Sequence, residues 1–348
     1  MSITVYYATN RSETGTAAKP SFGPGFHAKG PHYLRFGSAE VDPPAKPGGE
    51  YKVKSVYMAP EKLPGAASKS KKTVLGSREI FEELRQNMKT QKSDLLLLIH
   101  GYASDFTTAL TRAAQVKQEY GTAGRPLEVA VFSWPANGEM IPEVSYYEDR
   151  TDAKASATAI ARAFLKMLDY FRDLGPSQFC WQQLHMVAHS MGNYTLRFAL
   201  QEIIAQYPNR TLPRVFQNIF LMAADEDNDT LELDYKMARL PELSEAVHVY
   251  YSGSDRALII SDTTKGNPDR LGSTGPRTLT NLPHKITLVD CRDVCETKPD
   301  ISDVRHQYYR KRPEIVADVR QVLAGVPPDR IPNRTFVPEK RSYRIGAR

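Results

Sequence analysis

Residues 184–192 read LHMVAHSMG. An apolar run ending in a small-x-Ser-x-Gly pentapeptide, Ala188 to Gly192, is the pattern of a buried strand that turns sharply into a helix with a serine at the apex. Small neighbours let strand and helix approach closely, and Ala188 adds one methyl where glycine is usual. The turn exposes the Ser190 hydroxyl at a helix N-terminus, where free backbone N–H groups and the helix dipole favour developing negative charge. Residues 193–206 continue as an amphipathic helix.

A second stretch, residues 94–101, reads DLLLLIHG. An all-apolar run of this length fits a central parallel strand covered on both faces. After such a strand the loop supplies one oxyanion N–H, and the residue after the serine supplies the other. By position these are the N–H groups of Tyr102 and Met191. Gly101 lets the backbone bend toward a substrate.

A serine hydroxyl is a poor nucleophile until an imidazole takes its proton and a carboxylate orients that imidazole. The chain order for this strand–turn–helix arrangement is Ser, then Asp or Glu, then His. Asp255 follows the strand-like VHVYY of residues 247–251, beyond the C-terminal strand end where active sites gather in open parallel sheets. Asp225, in the acidic run DEDND after the strand of residues 219–223, is the rival acid. Each is also placed to cap a following helix. Among the downstream histidines, His248 lies inside a strand and His284 at the N-terminal edge of one. His306 follows the strand of residues 285–290 and a loop, and precedes the helical segment 313–323, which is where a triad histidine belongs.

From residue 94 onward strands and helices alternate: strand, helix 107–120, strand 128–133, long helix 153–174, strand 183–188, helix, strand 215–223. This alternation predicts the α/β class, with a mostly parallel, doubly wound sheet and helices on both faces. Before it, residues 3–8 and 51–57 read as strands and 78–88 as a helix. The Gly/Pro-rich stretch 19–49 reads as an ordered loop or irregular hairpin, and 61–73 as a connection. The expected organisation is one domain over 1–323, with N-terminal strands and irregular loops over 1–93 and the catalytic core over 94–323. A basic, proline-containing tail follows over 324–348. The gap between Asp225 and Ala246 holds one short helix but no large cap domain. Residues 135–150, with Met140, Ile141, Tyr146 and Tyr147, and the loop 263–282 are the candidate covers.

Seven segments stand along the chain in order: VYYATNR (5–11), YLRFGSAEV (33–41), LLIHGYASDFTTAL (97–110), VFSWPANG (131–138), AHSMGN (188–193), YYSGSDRAL (250–258) and HQYY (306–309). As an ordered set they resemble the bacterial alpha/beta-hydrolase group long catalogued as domain of unknown function 900, over residues 3–323. The resemblance implies an alpha/beta-hydrolase fold and a serine esterase-like activity. It supports Asp255 and His306 as partners of Ser190.

Composition bounds the remaining classes. With 348 residues the chain can bury a large core. No apolar run reaches the ~18 residues of a membrane span, and the N-terminus MSITVYYATN lacks the features of a secretory signal. Cys180, Cys291 and Cys295 make an odd number, and the C-x3-C pair has no second ligand pair nearby. Reduced thiols in a cytoplasmic protein are the expectation, with neither metal nor organic cofactor. Of the net charge of +6, residues 325–348 carry +4, six Lys or Arg against two acidic residues. No nucleic-acid motif accompanies that tail, so packing against the domain or a partner subunit, or simple solubility, is the reading, and nucleic acid is not a partner. The predicted activity is hydrolysis of small carboxylic esters with short to medium acyl chains through Ser190, His306 and Asp255. Acyl transfer by the same triad, and a silent scaffold on a hydrolase fold, are the alternatives.

Overall fold

The computed structural model describes residues 1–46, 48–61, 75–138, 144–255, 257–258, 269–296 and 306–346. Residues 62–73 of the expected connection, Met140, Ile141 and residues 263–268 of the expected covers lie outside these. The chain divides into two compact units, Met1–Gln118 with Ala123–Gln183, and Glu119–Thr122 with Leu184–Arg348.

The first unit contains β1 (Ile3–Thr9), a small hairpin of β2 (Arg11–Glu13) and β3 (Phe22–Phe26), and β4 (Arg35–Asp42) and β5 (Lys52–Met58). It continues with α1 (Gly76–Gln91), β6 (Asp94–Ile99), α2 (Phe106–Tyr120), β7 (Leu127–Ser133), α3 (Val144–Ala155) and α4 (Ala157–Arg172). Its strands run in the order β6-β7-β1-β4-β5. β6, β7 and β1 are parallel, and β4 and β5 extend the edge antiparallel. The apolar runs of β6 and β7 are buried on both faces, as parallel strands require. In α1, Ile80, Leu84 and Met88 recur every fourth residue and are buried, which is the inward stripe of an amphipathic helix.

Two expectations for this unit are corrected. Residues 19–49, expected as an ordered loop or irregular hairpin, hold β3, which pairs with β2, and the eight-residue β4, which pairs with β1 and β5. Gly37 disguised the strand. A Cβ there would stand 2.0 Å from the Tyr57 carbonyl oxygen and 2.5 Å from the Tyr7 hydroxyl. Glycine is needed for a close approach, and Tyr7 Oη donates to that carbonyl at 2.9 Å. The long helix expected over 153–174 is two helices. Ser156 separates α3 from α4, and its hydroxyl donates to the Asp152 carbonyl at 2.8 Å. Such back-bonding to the carbonyl four residues earlier bends helices.

The second unit contains β8 (Leu184–His189), α5 (Met191–Ala205), β9 (Phe216–Met222), β10 (Ser244–Tyr251), α6 (Leu271–Thr274), β11 (Ile286–Asp290), α7 (Arg292–Glu296), α8 (Tyr308–Lys311), α9 (Pro313–Leu323), β12 (Arg334–Val337) and β13 (Ser342–Ile345). Its strands run β8-β9-β10-β11-β13-β12. The first five are mutually parallel and β12 closes the edge antiparallel. Buried apolar side chains of β9 and β10, among them Ile219, Leu221, Val247 and Val249, form the centre of its core. Between β9 and β10 stand turns and the single-turn helix Leu240–Leu243, with no helical cap.

Residues beyond Leu323, expected as a basic, proline-containing tail, build β12 and β13. Arg334 of β12 forms a two-pronged, fully buried pair with Asp318 of α9, at 2.7 Å on each prong. Four-residue strands carry too little periodicity to be read in advance. Residues 271–274, expected within a loop, form α6. Among the described residues no helix is long and apolar enough to cross a membrane.

Candidate active site

The turn after β8 has the geometry its sequence predicts. Ser190 has φ 54° and ψ −127°, a conformation that costs a non-glycine residue energy and that functional sites retain. The surroundings hold it there. Ser190 N–H donates to the Met222 carbonyl at 3.0 Å, and the Ser190 carbonyl accepts from the N–H groups of Asn193 and Asp225. The Asn193 side-chain amide donates to the carbonyls of Ala188 at 3.0 Å and Ser190 at 3.1 Å. Asn193 is a site residue that the pentapeptide alone did not single out. Met191 and Gly192 open α5, so their N–H groups stand in the first turn, which has no intrahelical acceptors.

Three side chains from distant parts of the second unit meet at this turn. Ser190 Oγ lies 2.8 Å from His306 Nε2, and His306 Nδ1 lies 2.8 Å from Asp255 Oδ2. The second carboxylate oxygen, Oδ1, accepts from the backbone N–H groups of Ala257 at 3.2 Å and Leu258 at 3.3 Å. Asp255 is completely buried, whereas the His306 side chain is partly exposed. A buried carboxylate satisfied on both oxygens can hold one imidazole tautomer, with Nδ1 protonated and Nε2 ready to accept from a hydroxyl.

The rival residues stand elsewhere. Asp225 turns its carboxylate to Arg270, whose Nε is 3.3 Å away, and Arg270 also pairs with Asp227 at 2.6 Å. Arg270 opens α6, where Gly272 lies against the end of β9. A Cβ on Gly272 would stand 2.2 Å from the Ala224 nitrogen. Gly272 N–H donates to the Ala224 carbonyl, and its own carbonyl accepts from Ser252 N–H. Residues 270–272 thus fasten the loops that follow β9 and β10, and the second of these loops carries Asp255. His248 is buried in β10, stacks on Phe220 and shares a hydrogen bond of 3.0 Å with Asn218. Burial, with Arg334 nearby, pushes its pKa down to about 3. His284 is exposed. Cys291 and Cys295 are buried free thiols, and burial pushes Cys295 up to about 12.

Three residues of HQYY have separate tasks. His306 faces Ser190. Tyr308 is fully buried, donates from Oη to the Tyr250 carbonyl at 2.8 Å and accepts from Ala223 N–H at 3.1 Å. One phenol therefore ties this segment to the ends of β9 and β10. The carbonyl of Tyr309 accepts from Tyr120 Oη at 2.7 Å.

Within the first unit, Tyr102 stands in the loop after β6, with its hydroxyl 2.8 Å from Ser145 Oγ. The next residue, Ala103, has φ 51°, and its N–H donates to Asp149 Oδ2 at 3.0 Å. Asp149 Oδ1 accepts from Asn137 N–H at 3.1 Å, so one carboxylate on α3 holds the loops after β6 and β7 together. Arg11 holds the same loops from another side. Its fully buried guanidinium donates to the carbonyls of Ser104 at 2.6 Å, Ala136 at 2.9 Å and Gly23 at 3.2 Å, and to Ser133 Oγ at 2.9 Å. Burial lowers its pKa to about 9, against the pull of Asp105, Asp149 and Asp152. Burial also raises Asp149, against its two backbone hydrogen bonds. The indole of Trp134 donates to the His100 carbonyl at 2.9 Å and stacks on the His100 ring. Arg11, Asp149 and Trp134 were not picked out from sequence, because their partners are backbone atoms far along the chain.

A stretch of 75 residues is 33% identical to "Uncharacterized protein alr1448" of Nostoc sp. (strain PCC 7120), covering 22% of this chain and 17% of that protein. The chain therefore spans less than a fifth of that relative's length in the match. No solved structure matches the chain significantly. Residues 77–325, which include Ser190, Asp255 and His306, match the model of the family described as "Alpha/beta hydrolase of unknown function (DUF900)", and the chain belongs to that family of hydrolases with its mostly parallel sheet and helices.

Proposed function

We propose that the protein is a serine hydrolase that cleaves carboxylic esters through an acyl-enzyme intermediate. The observation that carries this reading is the unbroken chain of hydrogen bonds from Ser190 Oγ through the His306 ring to Asp255, at 2.8 Å for each link. His306 Nε2 takes the hydroxyl proton as Ser190 Oγ attacks the ester carbonyl. Asp255 stays ionised and stabilises the imidazolium. The N–H groups of Met191 and Tyr102 receive the tetrahedral oxyanion, each contributing roughly 3–4 kcal/mol to the transition state. His306 then returns the proton to the leaving alcohol, and water, activated by the same imidazole, releases the acid.

Soluble esters with short to medium acyl chains are the proposed substrates, because no helical cap stands between β9 and β10 to shelter a long chain. Acyl transfer would use the same residues with an alcohol in place of water, and added acceptor alcohols would then divert product from acid to ester.

The test is hydrolysis of p-nitrophenyl esters from acetate to palmitate by wild type and Ser190→Ala, with fluorophosphonate labelling in parallel. Turnover and labelling are both expected in the wild type and absent in the variant, and the chain-length optimum sizes the acyl site. A wild type that neither turns over an ester nor takes the probe would leave the fold as a scaffold.

A further inference from the structure

His189 immediately precedes the serine, and the mechanism above does not use it. Its side chain is almost fully buried. Nε2 lies 3.0 Å from the backbone carbonyl oxygen of His306. A carbonyl can only accept, so the neutral ring carries its proton on Nε2 and donates it there. The ring stacks on Tyr309 with centroids 4.4 Å apart and planes 29° apart, and lies 4.8 Å from the His306 ring. Two of the four HQYY residues therefore pack on the residue next to Ser190, and a third, Tyr308, is fastened to the ends of β9 and β10.

We infer that His189 is a positioning residue for His306. It couples the serine turn to the histidine segment through a bond that does not involve the reacting hydroxyl. The Ser190–His306 hydrogen bond must loosen whenever the proton moves or the serine is acylated. The His189 bond to the His306 backbone does not change in either step, so the imidazole keeps its distance from the serine oxygen throughout the cycle. A displacement of about 1 Å at such a site can cost about a hundredfold in rate. The phenol of Tyr308 fixes where the segment sits on the sheet, while His189 fixes how far His306 stands from Ser190. This inference deepens the hydrolase reading and rests on it for the role of His306.

The experiment compares His189→Phe, which keeps an aromatic ring against Tyr309 and loses the donor, with His189→Gln, which keeps an N–H at similar reach. For His189→Phe, kcat on a p-nitrophenyl ester is expected to fall about tenfold or more with KM within about twofold. The fluorophosphonate labelling rate should fall in step. The downfield imidazole N–H proton resonance of His306 bonded to Asp255 should broaden. His189→Gln should recover most of the rate and the resonance. Unchanged kcat in His189→Phe, or equal losses in Phe and Gln with the resonance unaltered, would overturn the inference. Should His189→Phe not fold, His189→Asn against His189→Gln carries the same comparison, because the shorter amide does not reach the carbonyl. Equal rates in that pair would be the negative result. A wild type without turnover or labelling would defeat the hydrolase reading itself, and the His306 resonance in the variants would still test the positioning.

Discussion

Ser190 carries a backbone conformation that a serine adopts only under compulsion, with φ 54°. The compulsion is local: Asn193 ties the carbonyls on either side of the turn, and the Met222 carbonyl holds the Ser190 N–H. The same scale separates the two candidate acids. Asp255 Oδ2 faces His306 Nδ1, whereas Asp225 faces Arg270. Asp255→Asn preserves the shape but presents an amide N–H to the imidazole and favours the wrong tautomer. A loss in kcat of about 10⁴-fold is expected, by analogy with the same change in a serine protease triad. Asp225→Asn should cost less than about tenfold in kcat and show itself mainly in stability, because it leaves the buried Arg270 short of one anion. Steady-state kinetics and thermal melts of the pair distinguish the roles, and the reverse ranking would make Asp225 the acid.

At the scale of elements, parallel strands deliver their loops to one edge, and each loop must then be held. Asp149 does this for two of them, accepting from Ala103 and Asn137. Removing the carboxylate leaves two backbone N–H groups to find other partners, at about 1–3 kcal/mol each if they stay buried. The loop after β6 carries Tyr102, the proposed oxyanion donor. Ester turnover should therefore fall in the order wild type, Asp149→Asn, Asp149→Ala, since asparagine keeps one acceptor and alanine none. A kcat for Asp149→Ala equal to wild type would show that this loop stands without the carboxylate or that Tyr102 has no part in the reaction. Arg11 is the companion device. Three of its four acceptors are main-chain carbonyls, which explains why a strand-end arginine near the N-terminus belongs with segments more than ninety residues away.

For the whole molecule, acid stability follows from the buried histidines. The pKa of His248 is lowered to about 3 by burial and Arg334, against an unfolded value near 6.5. The unfolded chain therefore binds the extra proton between these two values. Stability is full above about pH 6.5 and declines as the pH falls toward 3. Between pH 7 and pH 5 this one residue should cost about 2 kcal/mol. His100, whose pKa burial and Arg11 hold well below its ordinary value, acts in the same direction. Denaturant titrations should show His248→Gln with a shallower decline over that interval, because glutamine keeps a donor for Asn218 without the titration. An unaltered slope would mean that His248 is already protonated when folded.

What was legible in the sequence was the chemistry with a local signature. The strand–Ser190–helix turn is written in nine consecutive residues, because a tight turn dictates small neighbours and an apolar approach. A parallel strand buried on both faces announces itself as an unbroken apolar run, so β6 and the alternation around it could be read directly. Chain order and strand ends also drew attention to Asp255 and His306. The tertiary structure alone decided which partner each side chain takes. It turned Asp225 to Arg270 and Asp255 to His306, a choice that depends on loop paths and not on residue type. It made a strand of the glycine-bearing segment around Gly37, because the neighbouring tyrosines demand a residue without a side chain there. It brought β12 and β13 onto the sheet through Arg334 and Asp318. Arg11, Asp149 and His189 act on main-chain atoms far off in sequence, and a hydrogen bond to a carbonyl or an N–H leaves no mark on the identity of the residue that offers it.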